Sequence, residues 1–394
     1  MKIAVILLSP LDSMGGLQVF TFNLLSKISH MGHDCTLYIS DRDYKYIKSE
    51  IAVTPFKIKP VFFETSRLAK YVPFFLQQII RLIQYREKYD VWQGMGVYPT
   101  SIVLSSIANR VPVVLRAFGG DIQRCKKLNY GYTICGKNEK KLKKALQPIN
   151  KVVAMTNNLR DSFYDLDVPP NKIVNIPNTV NVSRYSRKVD RKLIRGKMGI
   201  EENTTLLITV GRYHIKKGHD LIPEIADSLR KRHVNYRWLL VGNGLEELKK
   251  DVEYRGLSNH LIIKNEIGIK NAFDENGEVN IPGDELIDIL KSSDIFAFPT
   301  RLEGFPMVIL EAMAAGIPIV TTNSPGTNEV VSHNTTALLS EIDDVDSMAE
   351  NIIRLIGDNN LREKLIQNGK KELPGYDLNN IAKQYLDLYS QLVK

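Results

Sequence analysis

The sequence has no long apolar run and few cysteines, and these two deficits exclude several classes of protein. No segment of its 394 residues sustains the roughly 20 apolar residues that a membrane-spanning helix needs. The three cysteines, Cys35, Cys125 and Cys135, have spacings that fit no common zinc pattern. Their odd number favours free thiols in a reducing compartment over a disulfide framework. We therefore expect neither an integral membrane protein nor a scaffold stapled by disulfides or zinc.

The composition is that of a globular protein large enough for two domains. Hydrophobic residues make up 43% and charged residues 25%, which is ordinary usage for a soluble protein. A chain of 394 residues exceeds what one hydrophobic core normally organises. The initial apolar run ends at Pro10 and Asp12, so it predicts a buried first strand rather than a signal peptide. We expect a cytoplasmic protein.

The formal net charge of +9 indicates anionic partners. Part of the excess is a basic cluster, which comprises Arg124, Lys126, Lys127, Lys137, Lys140, Lys141, Lys143 and Lys144. Residues 72–89 alternate apolar and polar side chains at helical spacing, which suits contact with anionic lipid on the cytoplasmic face of a membrane. A solvated lysine face beside a core helix is the alternative, and the sequence favours neither. No nucleic-acid-binding signature is present, so we expect no nucleic-acid partner.

The alternation of short apolar runs with helical stretches predicts two doubly wound α/β domains. A passage rich in Pro and Asn at 169–181 interrupts the first series, and a second series begins with the apolar strand 206–210. Predicted strands lie at 3–8, 35–39, 91–93, 113–116, 152–155, 206–210, 238–241, 261–263, 295–298 and 317–320. We predict domains at 1–182 and 183–374, and a final helix within 375–394 that packs back on the N-terminal domain. Ligands of such sheets bind beyond the carboxyl ends of the strands, so the cleft between the domains is the expected site.

The segment RLEGFPMVILEAMAAGIPIV, residues 301–320, is the most informative in the chain. Pro306 suits the first position of a helix and Gly316 the residue after its end, which predicts a helix of about ten residues. Every position of this helix except Glu311 is apolar, so the helix should be buried. A buried carboxylate needs a hydrogen-bonding partner, and sugar hydroxyls would serve.

Glu303 precedes this helix in a loop that contains Gly304. The missing side chain of Gly304 lets a ligand approach the backbone at the N-terminus of the helix, where phosphate or hydroxyl oxygens bind readily. The candidate ligand-binding residues of this turn are Gly304, Phe305, Pro306 and Met307. The alternative interpretation is that Glu311 pairs with a core arginine and that Glu303 is only an acid of a loop.

A second segment, GRYHIKKG at 211–218, follows the predicted strand 206–210. Gly211 begins this loop, and Arg212 and Lys217 are two cations near the carboxyl end of a parallel strand. Such cations can neutralise a diphosphate leaving group without magnesium. A surface loop that is rich in lysine by chance is the alternative.

These two segments, in this order, resemble the family 4 glycosyltransferases of the GT-B fold, which are retaining enzymes that use nucleotide sugars. The matching features are the glutamate pair Glu303 and Glu311 and the phosphate-binding loop 211–218. The resemblance implies that Glu311 binds the ribose of the donor and that Glu303 contacts the donor sugar. It also implies that Arg212 and Lys217 hold the pyrophosphate, so that Glu303, Arg212 and Lys217 form the catalytic set.

Weaker resemblances lie elsewhere in the chain. Gly15 and Gly16 look like the glycine loop of the family, which lies close to donor phosphate or acceptor, and residues 241–244 look like its glycine turn. Residues 116–121 resemble a strand end where many members have a His-Gly pair. Phe118 stands in place of that histidine, so Arg116 or Asp121 would supply polar contacts instead.

The predicted function is therefore metal-independent, retaining transfer of a hexose-type sugar from a nucleoside diphosphate, with UDP favoured over GDP. The acceptor is a saccharide or lipid-linked intermediate of cell-surface polysaccharide or glycoconjugate synthesis, and no cofactor is needed. A UDP-N-acetylhexosamine 2-epimerase is one alternative, although no acid and base pair suited to it is evident. A non-catalytic binding subunit is another. The insertion-like stretch 268–283 has no assigned role.

Overall fold

The computed structural model describes residues 1–11, 15–50, 54–61, 88–265, 273 and 279–393, which form two compact units. Unit 1 comprises Met1–Asn178, Gly268–Ile281 and Leu378–Lys394, and unit 2 comprises Thr179–Ile267 and Pro282–Asp377. The chain thus passes between the units at residue 178, whereas the sequence predicted a boundary at 182. Of the described residues of the insertion-like stretch 268–283, residues 273 and 279–281 belong to unit 1. Its Phe273 packs on Phe22 and Phe56, with ring centroids 5.4 and 5.9 Å apart.

Unit 1 is built on a parallel sheet of seven strands in the order β3-β2-β1-β4-β5-β6-β7. The strands are Lys2–Leu7 (β1), Asp34–Ser40 (β2), Lys57–Val61 (β3), Val91–Met95 (β4), Val113–Arg116 (β5), Lys151–Ala154 (β6) and Ile173–Asn175 (β7). The strand order reverses between β1 and β4. That switch point is where doubly wound sheets bind ligands, because the loops there diverge to opposite faces.

Helices pack on this sheet, and the last helix of the chain is one of them. In the described residues they are Gly16–His30 (α1), Asp41–Glu50 (α2), Thr100–Leu104 (α3), Gly136–Leu146 (α4) and Asn157–Asp165 (α5), with 3₁₀ turns at Tyr132–Ile134 and Pro170–Lys172. The final helix, Leu378–Leu392, packs on α1 through the rings of Tyr385 and Phe20, 6.0 Å apart. Tyr385 and Tyr389 of this helix are fully buried.

Unit 2 is built on a parallel sheet of six strands in the order β10-β9-β8-β11-β12-β13. The strands are Thr205–Val210 (β8), Tyr236–Val241 (β9), Leu261–Lys264 (β10), Ile295–Phe298 (β11), Ile319–Thr322 (β12) and Leu338–Ser340 (β13). The helices are Arg191–Lys197 (α6), Ile222–Lys231 (α7), Lys249–Tyr254 (α8), Asp284–Ser292 (α9), Met307–Ala315 (α10), Val345–Gly357 (α11) and Asn359–Tyr376 (α12), so the final helix of the chain is α13. The 3₁₀ turns of this unit are Val182–Ser186, Ile215–Lys217, His219–Leu221 and Leu245–Leu248.

The strand order of unit 2 reverses between β8 and β11, which are paired in parallel. Their carboxyl ends therefore lie side by side, and the loops that follow them begin at one point of the sheet. The loop after β8 is the segment 211–218 that the sequence singled out, and the loop after β11, residues 299–306, contains the first residues of the segment 301–320. The topology thus brings residues about ninety positions apart to one edge of one sheet.

Some sequence predictions fall outside the described part of the chain. These are residues 72–87 of the amphipathic segment, and residues 268–272 and 274–278 of the insertion-like stretch. Among the helices that are described, none has the length and apolar character required to cross a bilayer.

Candidate active site

The loop after β8 is held tightly against the end of β11. Gly218 has a φ of 65°, and a Cβ added to it would lie 1.8 Å from the carbonyl oxygen of Pro299. Only glycine fits this position, which explains the Lys217-Gly218 pair in the sequence. The 3₁₀ turn Ile215–Lys217 ends at this glycine, and its N-terminus is capped by the His214 side chain, which accepts from the Lys216 amide. The turn therefore places Lys217 firmly beside β11.

Lys217 and Glu303 form a direct ion pair at the switch point. The Nζ of Lys217 donates to Oε1 of Glu303 at 2.9 Å, and Nζ of Lys216 lies 3.8 Å from Oε2. The hydroxyl of Thr300 lies 3.4 Å from Oε1 of Glu303. Glu303 is buried, with 6% of its surface exposed. The structure thus brings together two of the three residues that the sequence assigned to catalysis.

The charge state of this cluster follows from its burial and its excess of cations. Burial alone would raise the pKa of Glu303, but the charges of Lys217 and Lys216 outweigh that effect and the pKa is lowered. Burial lowers the pKa of Lys217, and the charge of Glu303 opposes that change. The third predicted residue, Arg212, is exposed, and its charge acts on Lys217 without an ion pair of its own in the described residues. The Glu303 carboxylate thus faces two cations, Lys217 and Lys216, and the nearby charge of Arg212 adds to the positive excess.

Arg301 braces the two loops, a role that the sequence did not reveal. Its Nη1 and Nη2 donate to the two carboxylate oxygens of Asp220, each at 2.7 Å, and its Nε donates to Asp343. Nη1 also donates to the carbonyl of Ile215 at 2.6 Å, and the amide of Arg301 donates to the carbonyl of Lys216 at 2.7 Å. Bidentate pairing of this kind is strong and directional. Arg301 therefore fixes the lysine turn relative to Glu303.

The predicted buried helix is confirmed as α10. It runs from Met307 to Ala315, so Pro306 is its N-cap and not, as predicted, its first residue, and Gly316 ends it with a φ of 74°. Glu311 is 8% exposed, so the carboxylate lies inside, as the apolar pattern predicted. In the described residues the carboxylate makes neither a hydrogen bond nor an ion pair, which excludes the alternative of a direct pair with a core arginine. Arg184 acts on it only through its charge.

The surroundings of Glu311 leave its charge without local compensation. Burial raises its pKa to about 7, and the charge of Arg184 only partly opposes that rise. The neighbouring hydroxyl of Tyr185 is buried and has no hydrogen-bond partner in the described chain. Native proteins rarely leave such groups unsatisfied. A carboxylate and a hydroxyl with unused hydrogen-bonding capacity are what a bound polyol would satisfy.

The turn at 304–307 is buried and is shaped by a second glycine, Gly326, which was not among the predicted site residues. Gly326 has a φ of 82°, and a Cβ there would lie 2.2 Å from the carbonyl oxygen of Glu303. The amide of Glu303 donates to the carbonyl of Pro325 at 3.0 Å. The Pro325-Gly326 dipeptide is an ordinary turn signal, and it is the sequence feature from which this tight loop could have been predicted. Together these contacts fix Glu303 and the start of α10.

The glycine turn 241–244 lies against the cation loop. The amide of Gly211 donates to the carbonyl of Val241 at 2.8 Å, and the amide of Tyr213 donates to that of Asn243 at 2.7 Å. A Cβ at Gly242 would lie 2.2 Å from the Gly211 carbonyl oxygen, so the two backbones are nearly in contact. This turn therefore belongs to the same edge of the sheet.

In unit 1, the expectation that Arg116 offers polar contacts to a ligand is wrong. Its side chain is completely buried at the end of β5. Its guanidinium donates to the carbonyls of Ile176 and Pro177, to the amide oxygen of Asn178 and to the hydroxyl of Tyr385. Arg116 therefore has a structural role within unit 1, where it joins the end of β5 to residues 176–178 and to α13.

Asp121 is likewise structural. Its carboxylate accepts from the amides of Val97, Phe118 and Gly119 at 2.6, 3.1 and 2.9 Å, which ties the loop after β4 to the loop after β5. Phe118, which occupies the position of the expected histidine, packs edge-on against Phe20, with centroids 5.8 Å apart.

Gly15 and Gly16 stand at the start of α1, beside the switch point of unit 1. Gly15 is the N-cap residue, and its amide donates to Oε1 of Gln18 at 3.1 Å. Gly16 is exposed. No contact in the structure assigns these glycines a ligand, and their predicted role stays a prediction.

No group of three or more potential metal-ligating side chains occurs where the structure describes the chain.

Two family models together match most of the chain. The model named Glycosyltransferase Family 4 matches residues 14–184, and the model named Glycosyl transferases group 1 matches residues 190–372. An uncharacterised glycosyltransferase of Methanocaldococcus jannaschii is 24% identical, over 99% of this chain and 98% of that protein. An Escherichia coli enzyme, UDP-Gal:alpha-D-GlcNAc-diphosphoundecaprenol alpha-1,3-galactosyltransferase, is 28% identical over 58% of this chain and 57% of its own.

Among solved structures, Anabaena HepE in complex with UDP and glucose is similar, with a TM-score of 0.78, 16% identity and full coverage of both chains. At this identity the likeness shows the fold alone. The predicted fold class, two Rossmann-like α/β units of the GT-B type, is confirmed.

Proposed function

Because the chain belongs to the family 4 glycosyltransferases, we propose that it transfers a hexose-type sugar from UDP to a saccharide or lipid-linked acceptor, with retention and without a metal ion. The observation that carries the proposal is Glu311, a buried carboxylate that has no hydrogen-bonding partner in the described chain and lies in the unit that also holds the Lys217–Glu303 pair.

Glu311 binds the ribose of the donor. The two hydroxyls of a ribose can donate to a carboxylate, which would compensate its charge where the protein does not. The hydroxyl of Tyr185 is a further group that such a ligand would satisfy. A buried acid without a partner is costly, so its retention on an otherwise apolar helix supports a binding role.

Lys217 and Arg212 hold the diphosphate. Lys217 is fixed by Glu303 and by the brace of Arg301, whereas Arg212 is exposed and able to move towards a ligand. Two cations and the amides at the start of α10 stabilise the negative charge that develops as the nucleotide leaves. That stabilisation is the task that a metal ion performs in other transferases, and this is why we propose metal independence.

Glu303 contacts the donor sugar and keeps Lys217 in place. In the transfer step the bond between the anomeric carbon and the β-phosphate oxygen breaks, and the acceptor oxygen bonds to the same carbon from the same face. The acceptor proton passes to a phosphate oxygen of the departing UDP. The described residues supply no competing nucleophile at this point, and Glu303 is held by Lys217.

UDP is preferred over GDP because HepE was solved with UDP and glucose and the E. coli relative is named for UDP-galactose. That relative also acts on a diphosphoundecaprenol-linked sugar by name, which supports a lipid-linked acceptor on the cytoplasmic face of a membrane. The exposed lysines of α4 agree with an anionic acceptor or surface.

A thermal-shift screen of nucleotides and nucleotide sugars tests the proposal. We expect UDP and at least one UDP-sugar to raise the melting temperature, with the same shift in EDTA and in MnCl₂. Incubation of the bound donor alone is the control: its conversion to another nucleotide sugar would indicate epimerisation. The absence of a shift with every nucleotide, or a shift that requires Mn²⁺, would contradict the proposal.

A further inference from the structure

Two tyrosines, Tyr98 and Tyr132, form an aromatic stack in the connections that follow strands β4 and β5 of unit 1. The rings of Tyr98 and Tyr132 lie 3.6 Å apart between centroids, at an interplanar angle of 18°. Tyr98 follows β4 and Tyr132 follows β5, and these strands are neighbours in the sheet. Tyr98 is 38% exposed, among the more exposed large side chains of the unit. Since Tyr132 covers one face of the Tyr98 ring, the exposed surface of that ring lies on its other face and its edge.

The backbone around this stack is built to hold it. Asp121 accepts from the amides of Val97 and Gly119. The loop after β4 is therefore joined to the loop after β5 at the residue that precedes Tyr98. The amide of Tyr132 donates to the carbonyl of Gly120 at 2.8 Å. Gly131 has a φ of 113°, and a Cβ there would lie 1.9 Å from the Gln123 carbonyl oxygen. A chance contact between two surface side chains would not need a glycine in this conformation or the link that Asp121 makes between the two loops.

Burial and the neighbouring Tyr98 hydroxyl raise the pKa of Tyr132. The pair therefore presents one flat ring with a polar rim, and little conformational entropy remains to be lost when a ligand binds.

The position of the stack in the topology is that of a ligand-binding group. Tyr98 lies on the loop after β4, which borders the switch point between β1 and β4, at the carboxyl edge of the sheet. We propose that Tyr98, supported by Tyr132, is the platform on which a pyranose ring of the acceptor stacks. The inference rests on the proposed function and adds to it a specific acceptor subsite in unit 1.

The chemistry of the surface favours a sugar over other occupants. The face of an aromatic ring is negative, and the axial C–H groups on one face of a pyranose present partial positive charge to it, while the sugar hydroxyls find the polar rim. A nucleobase would also stack, but the groups suited to ribose and diphosphate belong to unit 2. Tyr98 is therefore assigned to the acceptor, and loss of UDP binding on its removal would contradict that assignment.

Saturation-transfer NMR with methyl pyranosides of glucose, galactose, mannose and N-acetylglucosamine tests the platform on the full chain. We expect transfer to the C–H protons of one ring face of at least one pyranoside. Tyr98→Ala should weaken its binding by about tenfold, and Tyr98→Phe should retain it because the ring remains. Tyr164→Ala is the matched control, since Tyr164 is a comparably exposed tyrosine of unit 1, at 42%.

The outcomes separate this inference from the proposed function. The UDP thermal shift reports the donor site, and we expect it to be the same in all three variants, with melting temperatures near that of the wild type. Unchanged pyranoside binding in Tyr98→Ala, or no pyranoside bound by the wild type at millimolar concentration, overturns the platform. Loss of the UDP shift in the wild type would instead overturn the proposed function.

Discussion

Glu311 is the residue whose chemistry depends most on the proposed ligand. Its pKa is raised to about 7 by burial, whereas ribose hydroxyls bind best to the ionised carboxylate. Binding below that pKa must therefore first remove a proton from Glu311. We expect the affinity for UDP-glucose, whose diphosphate does not titrate in this range, to fall about tenfold between pH 8 and pH 6. Isothermal titration calorimetry over this range measures the effect.

The Glu311→Gln variant is the control for this dependence. It should bind UDP-glucose more weakly than the wild type at pH 8, and its affinity should vary little with pH. A wild-type affinity that is flat between pH 6 and pH 8 would remove Glu311 from the ribose site.

The same raised pKa predicts how the ligand-free protein responds to pH. For an acid whose pKa in the folded state lies above its unfolded value, the stabilising contribution is fully present below the unfolded pKa of 4.5 and is lost as the pH rises through about 7. The loss is on the order of 3 kcal/mol for a shift of this size. UDP binding should restore part of it, because the ligand compensates the charge.

At the scale of elements, the brace formed by Arg301 connects the turn Ile215–Lys217 to the loop before α10. We expect Arg301→Lys to keep the charge but lose the bidentate pair with Asp220, so that Lys217 is no longer held in place. Affinity for UDP should fall by about tenfold or more, since small misplacements of a charged group are costly. Calorimetry with UDP measures this without an acceptor.

Arg195 offers the matched control for that variant. It is 3% exposed and pairs with Asp294 at 3.0 Å, elsewhere in unit 2. Arg195→Lys should lower the melting temperature while leaving UDP affinity close to that of the wild type. Equal effects of the two variants on UDP affinity would show that Arg301 acts only through general stability.

The elements that the sequence predicted are those with a strong local signal. The buried strands β1 and β11 contain continuous apolar runs, β8 is apolar except for two threonines, and α10 has a proline before it and a glycine after it. The three strands that were missed, β3, β7 and β13, lie at sheet edges. Edge strands are short or polar, so the apolar run that identifies a central strand is absent.

The presence or absence of a local sequence signal also explains which parts of the candidate site could be predicted. The burial of Glu311 could be predicted because its helix carries its own pattern. The brace could not, because Arg301 and Asp220 are 81 residues apart and meet only through the pairing of β8 with β11. The prediction for Arg116 was wrong for a related reason. Its position at a strand end suggested a ligand contact, but its guanidinium donates to the hydroxyl of Tyr385, 269 residues further along the chain.

At the scale of the whole molecule, part of the net charge of +9 lies on one regularly spaced row of exposed lysines. Lys137, Lys140, Lys141 and Lys144 recur on α4 at the spacing of one helical face, and all four are exposed. The opposite face of the helix is buried through Leu142, Ala145 and Leu146. Lys143 differs from the four, since it lies 3.0 Å from Asp167 and 3.4 Å from Glu139. We call the four exposed residues the α4 lysine face.

The α4 lysine face predicts salt-sensitive binding to anionic membranes. Each lysine near an anionic bilayer contributes about 1 kcal/mol, and the interaction decays within a Debye length of about 10 Å at 0.1 M salt. We expect the protein to sediment with vesicles that contain phosphatidylglycerol and not with neutral ones, and to be released by 0.5 M NaCl. Replacing the four lysines by Gln should weaken binding by about tenfold or more.

The matched control replaces four exposed lysines of unit 2, Lys249, Lys250, Lys364 and Lys371, which changes the net charge equally. Equal losses in the two variants would assign the binding to net charge alone, and the absence of vesicle binding by the wild type would remove the membrane from the partners of this protein.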